Sequence, residues 1–226
     1  MRVALCPHIS VSHYRGGEKW VASFANLLAA DGVDVAVRSL PYVPGGERRV
    51  DPRAGLDDRV TYREAWRHDL SGVDVAYVFY APLTRLLFRG TEDTRTVAGV
   101  HSWVYVSDRV HEPHYGTVPT LVKLCYRAVG PADIRRFDAV HTVTPAFDSP
   151  HPVTHHVPNF VDTDRFHPDR APLDEAFTVL STAAHIPEKG WDRVRRVAAA
   201  LPDDVTVLTT GTSTDPNVRG LGFLDE

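Results

Sequence analysis

Paired glycines stand where the first polar loop of the chain leads into an apolar helical pattern. Gly16 and Gly17 follow the short apolar run 2–6 and its loop, and Glu18 opens the helix. Glycine lets a backbone approach a phosphate closely, and a helix N-terminus offers free N–H groups and a positive dipole end. This segment can therefore bind a phosphate, although a plain glycine turn fits the same residues. It lacks the G-x-G-x-x-G spacing, which disfavours a dinucleotide-dependent dehydrogenase.

A histidine closes another apolar run. His101 directly follows residues 94–100. In open parallel sheets ligands bind beyond the carboxyl ends of the strands, and a histidine there can hydrogen-bond a sugar hydroxyl or a phosphate, or act as a general base. The chain has twelve histidines, so a surface or structural role for His101 stays open. Weaker candidates on the same reasoning are His8, His13, His155 and His156.

A lysine stands at the start of a later helix. Lys189 is one of three lysines in the chain, and it comes just before Gly190 and a helical pattern that begins at Trp191. An ammonium group at a helix start can pair with a diphosphate, whereas a solvated lysine is the plainer interpretation. His185 lies in the same segment and is a secondary candidate.

Other reactive side chains give no further site. The carboxylate pairs at 57–58 and 203–204 lie in polar segments typical of turns, and no Ser/His/Asp triad follows from spacing. Cys6 and Cys125 are not spaced like zinc ligands, and Cys6 in the first apolar run is expected to be a buried structural thiol. We therefore predict no metal site.

Composition limits the classes of protein. The 226 residues are enough for one large domain or one and a half, and 43% hydrophobic residues can form a core. The formal net charge of −4 gives no basic surface for nucleic acid. The apolar run 2–6 is far too short for a signal peptide or membrane span. We expect a cytoplasmic protein, with peripheral contact at the inner face of the membrane as an open alternative.

The elements that must position these residues alternate between strand and helix. The patterns predict a strand at 2–6, a helix at 18–30 and a strand at 33–38, which together form a βαβ unit. Residues 41–72 are expected to be a surface excursion with one short helix at 62–68. Further strands are predicted at 73–80, 94–101 and 137–145, and further helices at 82–88 and 118–129.

The alternation of predicted strands and helices is interrupted after residue 145 and resumes at residue 177. The proline-rich stretch 146–176 is expected to cross between domains, with one short strand at HHVPN. A strand at 177–183, a helix at 191–201 and a strand at 205–211 follow. One such unit cannot cover both faces of a parallel sheet, so the second domain is expected to be incomplete and prone to self-association. The predicted organisation is an N-terminal domain at 1–150, a crossing at 151–176 and a partial domain at 177–226.

Three segments, taken in order, carry a family resemblance. HYRGGEKWVASFANLLAADGVDVAV is similar to an opening with a GG-x-E loop, an apolar helix and Gly-x-x-Val, and FTVLSTAAHIPEKGWDRVRRVAAALP is similar to a strand–helix unit with a P-x-K-G element. HHVPNFVDTDRFHP is similar to the crossing I-P-N-G-V-D-x-x-x-F-x-P, with Phe160 in place of Gly. Together they resemble glycosyltransferase family four, of the two-Rossmann GT-B fold. The matching crossing positions are Pro158, Asn159, Val161, Asp162, Phe166 and Pro168.

The resemblance implies an α/β protein that transfers a sugar from a nucleoside-diphosphate sugar to a glycan or lipid-linked acceptor. Transfer would retain the anomeric configuration and would need no metal or other cofactor. The site would consist of Gly16 and Gly17 at the donor diphosphate, His101 as the catalytic residue near the sugar and Lys189 at the leaving phosphate, with His185 and Asn159 in secondary roles.

Two alternatives remain open. The family usually places an arginine five residues before this lysine, where the chain has Ala184, and its downstream Glu-(seven residues)-Glu element is not found here. The chain is therefore expected to be truncated, and a non-catalytic remnant or binding module is one alternative. A sugar-nucleotide epimerase of the same fold is the other.

Overall fold

The chain divides into two compact units, Met1–Phe160 and Val161–Glu226. The computed structural model describes residues 1–13, 16–44, 49–101, 117–145, 147, 149–161, 163, 177–182, 185, 189–202 and 204–222.

The described residues of the first unit form nine strands, which are β1 (Arg2–Cys6), β2 (Asp34–Ser39), β3 (Thr61–Glu64), β4 (His68–Asp69), β5 (Val75–Phe79), β6 (Phe88–Arg89), β7 (Arg95–Val100), β8 (Ala139–Thr142) and β9 (Thr154–His156). Seven of them make one parallel sheet of order β3-β2-β1-β5-β7-β8-β9. The short strands β4 and β6 pair with each other apart from this sheet. The strand order reverses direction at β1, which lies between β2 and β5, as in a Rossmann-type sheet.

Apolar residues cover both faces of this sheet, because alternate side chains of each buried strand point to opposite sides. Helix α1 (Gly16–Ala30) packs Val21 and Ala25 against one face, beside Leu5. The end of helix α2 (Thr117–Ile134) packs Ile134 against the other, beside Cys6. Cys6 is fully buried, as expected from its place in the first strand.

The second unit repeats the pattern on a smaller scale. Strands β10 (Thr178–Ser181), β11 (Thr206–Thr209) and β12 (Arg219–Gly220) form a parallel sheet, and helix α3 (Trp191–Ala200) joins the first two strands. The buried apolar cluster of the described residues here consists of Ala198, Val207 and Val218.

Two local predictions need correction. The short helix predicted at 62–68 is wrong, because Thr61–Glu64 forms a strand that pairs with β2. Its β-branched and aromatic start and its alternating burial suit an edge strand better than a helix turn. The predicted helix at 82–88 is a 3-10 turn at Thr84–Leu87.

The boundary between the units also differs from the expected one. The strand predicted within HHVPN forms at Thr154–His156 and pairs with β8, so the first unit extends to Phe160 rather than to residue 150. Among the described residues, none of the helices is both long and apolar enough to cross a bilayer.

Candidate functional site

The carboxyl ends of β1 and β5 meet where the strand order of the first sheet reverses. In sheets of this kind a crevice forms at that point and takes the ligand. His8 follows β1 there and hydrogen-bonds the backbone of Phe79 at the end of β5. Burial lowers the pKa of His8, and this hydrogen bond partly opposes the shift. His8 is therefore a neutral imidazole beside the carboxyl ends of β1 and β5.

His101 lies at the same end of the sheet, directly after β7. Its ring stacks on Phe79 at 4.2 Å between centroids, and Trp20 from α1 meets it edge-on at 4.5 Å. Burial among these rings lowers the pKa of His101 to about 3, with smaller contributions from His141 and His8. His101 is therefore a fixed, neutral imidazole at physiological pH.

A tyrosine joins His101 to a second histidine. The hydroxyl of Tyr77 lies 2.7 Å from Nε2 of His101 and 2.5 Å from Nδ1 of His141. His141 Nε2 in turn donates to the carbonyl oxygen of Val157 at 2.9 Å. Gly99 makes this arrangement possible, because a Cβ at that position would overlap the Tyr77 ring.

Gly16 and Gly17 form the start of α1 at the same end of the sheet. Among the described residues, a Cβ on Gly16 would meet nothing within 4 Å, and one on Gly17 would lie 3.7 Å from Cε1 of Phe79. Neither glycine has a positive φ. Gly17 and His101 thus both lie beside the Phe79 ring, and among the described residues neither local packing nor backbone conformation requires glycine at 16 or 17.

Glu64, at the end of β3, holds the loop between β1 and α1 through hydrogen bonds. Its carboxylate accepts a hydrogen bond from the Tyr62 hydroxyl at 2.6 Å and longer ones from the hydroxyls of Ser10 and Ser12, both at 3.4 Å. Ser39 at the end of β2 adds an oxygen that accepts from the Val11 amide at 3.1 Å. These contacts position the loop that carries His8.

The crossing segment lies against the same rings. Phe160, which stands where the resembled family has glycine, lies 5.9 Å from Trp20 and 6.2 Å from Phe24 between ring centroids. Asn159 beside it is exposed. His155 and His156 are also exposed, and His156 contacts the carbonyl oxygen of Thr142. The weaker candidate His13 lies beside Tyr42 instead.

In the second unit, Lys189 is exposed and directly precedes Gly190, which has a left-handed φ of 77° and caps the start of α3. The ring of His185 stacks on Trp191 at 3.8 Å, and its Nε2 lies 2.8 Å from the hydroxyl oxygen of Thr209. His185 is thus held between a helix start and the end of β11. Ala184 and Pro187 lie outside the described residues.

Sequence reasoning missed Tyr77, His141, Gly99 and Glu64. Gly99 carried a usable signal, because a glycine inside an otherwise apolar strand often marks the close approach of another group. Tyr77 and His141 had none, since their meeting depends on the register of three strands: Tyr77 pairs with Val97 in β7, and Gly99 pairs with His141 in β8. Within the described residues, no cluster of histidine, cysteine and carboxylate side chains could hold a metal ion.

Comparisons with known proteins bear on the fold. No protein-family profile and no curated protein sequence matches the chain. Among solved structures it is similar to sucrose-phosphate synthase (tll1590) from Thermosynechococcus elongatus, at a TM-score of 0.65 and 12% identity, over 100% of this chain and 71% of that one. It is also similar to MurG from Acinetobacter baumannii (TM-score 0.47, 11% identity, 100% and 69% covered). A third similar structure is WaaG, titled a glycosyltransferase involved in lipopolysaccharide biosynthesis (0.49, 13%, 99% and 70%).

The similarity to sucrose-phosphate synthase, at 12% identity, shows a shared fold. Together with the Rossmann-type strand order, it confirms the expected α/β fold of GT-B type, with one parallel-sheet unit followed by a smaller one. The two structures with TM-scores below 0.5 add nothing to this argument.

Proposed function

We propose that the protein is a glycosyltransferase that uses a nucleoside-diphosphate sugar as donor and retains the anomeric configuration. The observation that carries the proposal is the position of His101. It lies beyond the carboxyl end of β7, held by Phe79, at the sheet end where α1 begins with two glycines. The crevice of a Rossmann-type sheet of GT-B fold is where such a donor would bind.

Gly16 and Gly17 are proposed to approach the donor diphosphate. Nothing among the described residues occupies the space of a Cβ at Gly16, and only Phe79 touches that of Gly17, so the fold itself has room for a Cβ at both positions. A ligand that must reach the backbone supplies a reason for glycine that packing does not. The first N–H groups of α1 then meet the anion at the positive end of the helix dipole.

Lys189 is proposed to neutralise the charge that develops on the leaving diphosphate. An exposed ammonium at the start of α3 is free to meet an anion, and charge stabilisation on the leaving group is what this reaction most needs. The acceptor hydroxyl would attack the anomeric carbon on the face from which the diphosphate departs, and its proton would pass to a diphosphate oxygen. No protein nucleophile and no cofactor takes part in this scheme.

The acceptor is proposed to be a glycan or a lipid-linked sugar, bound by the loops at 41–70 and 102–118. Most of the second loop lies outside the described residues. We propose that the enzyme is cytoplasmic and that it binds lipid-linked acceptors at the inner face of the membrane. His185 and Asn159 are proposed to support donor binding.

Nucleotide binding tests the proposal directly. Saturation-transfer NMR with UDP and GDP should show binding of at least one, and NAD should show none. Lys189→Ala should weaken this binding roughly ten- to a hundredfold, because a charge-assisted contact is worth about 1.5–3 kcal/mol. Arg219→Ala, which removes an exposed cation on β12, should leave it unchanged.

Failure to bind either nucleotide, or binding that both variants leave alone, would contradict the proposal and favour the non-catalytic alternative. If binding is found, the anomeric configuration of a transferred sugar, read by proton NMR of the product, would test retention separately.

A further inference from the structure

The chain of hydrogen bonds that ends at His101 has a fixed direction, and its far end determines that direction. The carbonyl oxygen of Val157 can only accept, so Nε2 of His141, at 2.9 Å, carries a proton and donates it. Burial lowers the pKa of His141. A neutral imidazole with a proton on Nε2 has a lone pair on Nδ1. Nδ1 of His141 is therefore an acceptor.

The direction passes through Tyr77. A phenol has one proton to donate, and Nδ1 of His141 takes it across 2.5 Å. The oxygen of Tyr77 is then left with lone pairs only, so the contact at 2.7 Å with His101 requires a proton on Nε2 of His101. The proton on Nε2 leaves the lone pair of a neutral His101 on Nδ1.

The opposite direction conflicts with the same contacts. If Tyr77 donated to His101, Nδ1 of His141 would have to donate to Tyr77. A neutral His141 would then face the Val157 carbonyl with a bare nitrogen, and two acceptors would oppose each other at 2.9 Å. Only a cationic His141 avoids this, and its lowered pKa disfavours that state.

We propose that Tyr77 and His141 are positioning residues that hold His101 in the tautomer with a proton on Nε2, so that Nδ1 is the nitrogen that accepts a hydrogen bond from a ligand. No hydrogen bond reaches Nδ1 from the described residues. Phe79 and Trp20 restrict the ring by packing on it, so the tautomer and the orientation of the ring are set together.

The consequence for a donor rests on the proposed function. An accepting nitrogen matches a sugar hydroxyl, which has a proton to give, and repels a diphosphate oxygen, which has none. His101 therefore faces the sugar rather than the diphosphate. It acts as a hydrogen-bond acceptor at Nδ1, whereas its place after an apolar run in the sequence left hydrogen-bond donation and the phosphate open.

Long-range proton–nitrogen NMR on the histidine rings tests the tautomer without any substrate. The signals of His101 are assigned by their loss in His101→Gln. We expect a protonated Nε2, protected from solvent exchange, and a bare Nδ1. In His141→Phe, the freed Tyr77 proton should be donated to Nε2, so the proton of His101 should move to Nδ1. In Tyr77→Phe, the protected Nε2 proton should be lost to exchange.

Tyr80→Phe is the matched control, because Tyr80 is also buried and donates to the Gly130 carbonyl, on the other face of the sheet. It should leave the His101 signals unchanged. A bare Nε2 in the wild-type chain, or an unchanged His101 in both Tyr77→Phe and His141→Phe variants that still fold, would overturn the proposal. Failure to bind nucleotides would not alter these spectra, so the two proposals fail separately.

Discussion

Packing requires glycine at position 99, whereas at position 17 glycine is proposed to serve ligand binding. Substitution by alanine distinguishes these two roles. A Cβ on Gly99 would overlap the buried Tyr77 ring, so Gly99→Ala should destabilise the protein by about 1–3 kcal/mol, the range for overpacking. Gly17→Ala leaves ordinary contacts and should be neutral or stabilising by up to about 1 kcal/mol, yet weaken nucleotide binding. Chemical denaturation and nucleotide titration measure both effects. Equal loss of stability in the two variants would contradict this distinction.

Histidine burial makes stability depend on pH at the scale of single residues. The folded protein holds the pKa of His101 at about 3, against 6.5 for the free side chain, and it also lowers the pKa values of His8, His68 and His141. Below about pH 6.5 these histidines bind protons in the unfolded chain but stay neutral in the folded one. The free energy of unfolding should therefore fall as the pH falls. Each such histidine adds a slope of up to about 1.4 kcal/mol per pH unit.

Urea unfolding between about pH 7 and pH 5 measures this slope. His101→Gln removes one of the titrating groups and should flatten the curve. Stability that rises on acidification through this range would contradict neutral, buried imidazoles in the folded protein, and with them the neutral acceptor proposed at His101.

At the scale of elements, β3 serves the site by holding the loop after β1. The contacts of Glu64 with Tyr62, Ser10 and Ser12 predict that Glu64→Ala loosens residues 8–13 and lowers stability by about 1–3 kcal/mol, since buried donors lose their acceptor. Hydrogen exchange should quicken in this loop and stay slow in Val75–Phe79. Asp69→Asn, at an exposed carboxylate beside Ser71, is the control. Unchanged exchange at 8–13 in Glu64→Ala would assign the loop's order to other contacts.

The elements also show what sequence could and could not predict. Buried parallel strands such as β1 and Val75–Phe79 are continuous apolar runs, so these runs predicted them, and the helical spacing of apolar residues predicted α1. Thr61–Glu64 is a half-exposed edge strand of four residues, too short for its alternation to be distinguished from a helix turn. The Tyr77–His141 contact needs strand order and register together, which no local pattern encodes. The position of His101 directly after a strand was predictable, because it depends on the end of one strand only.

At the scale of the whole molecule, the two units differ in how well their sheets are covered. The first unit buries residues on both faces of its sheet, Leu5 and Val37 on one and Val78 and Val140 on the other. In the second unit, the described residues Phe177, Leu180 and Val197 are 71%, 54% and 55% exposed. Local stability follows buried apolar area, so the second unit should open more easily than the first.

Hydrogen exchange on matched strands measures this difference. Strand β11 (Thr206–Thr209) lies between two parallel neighbours, as β1 (Arg2–Cys6) does, so backbone pairing is comparable and burial is the variable. Amides of β11 should exchange faster than those of β1, and denaturant should unfold the second unit at the lower concentration. Because exposed apolar side chains also favour association, the gap should narrow as protein concentration rises. Equal protection of β1 and β11 in dilute solution would show that the second unit is stabilised by something other than its own buried cluster.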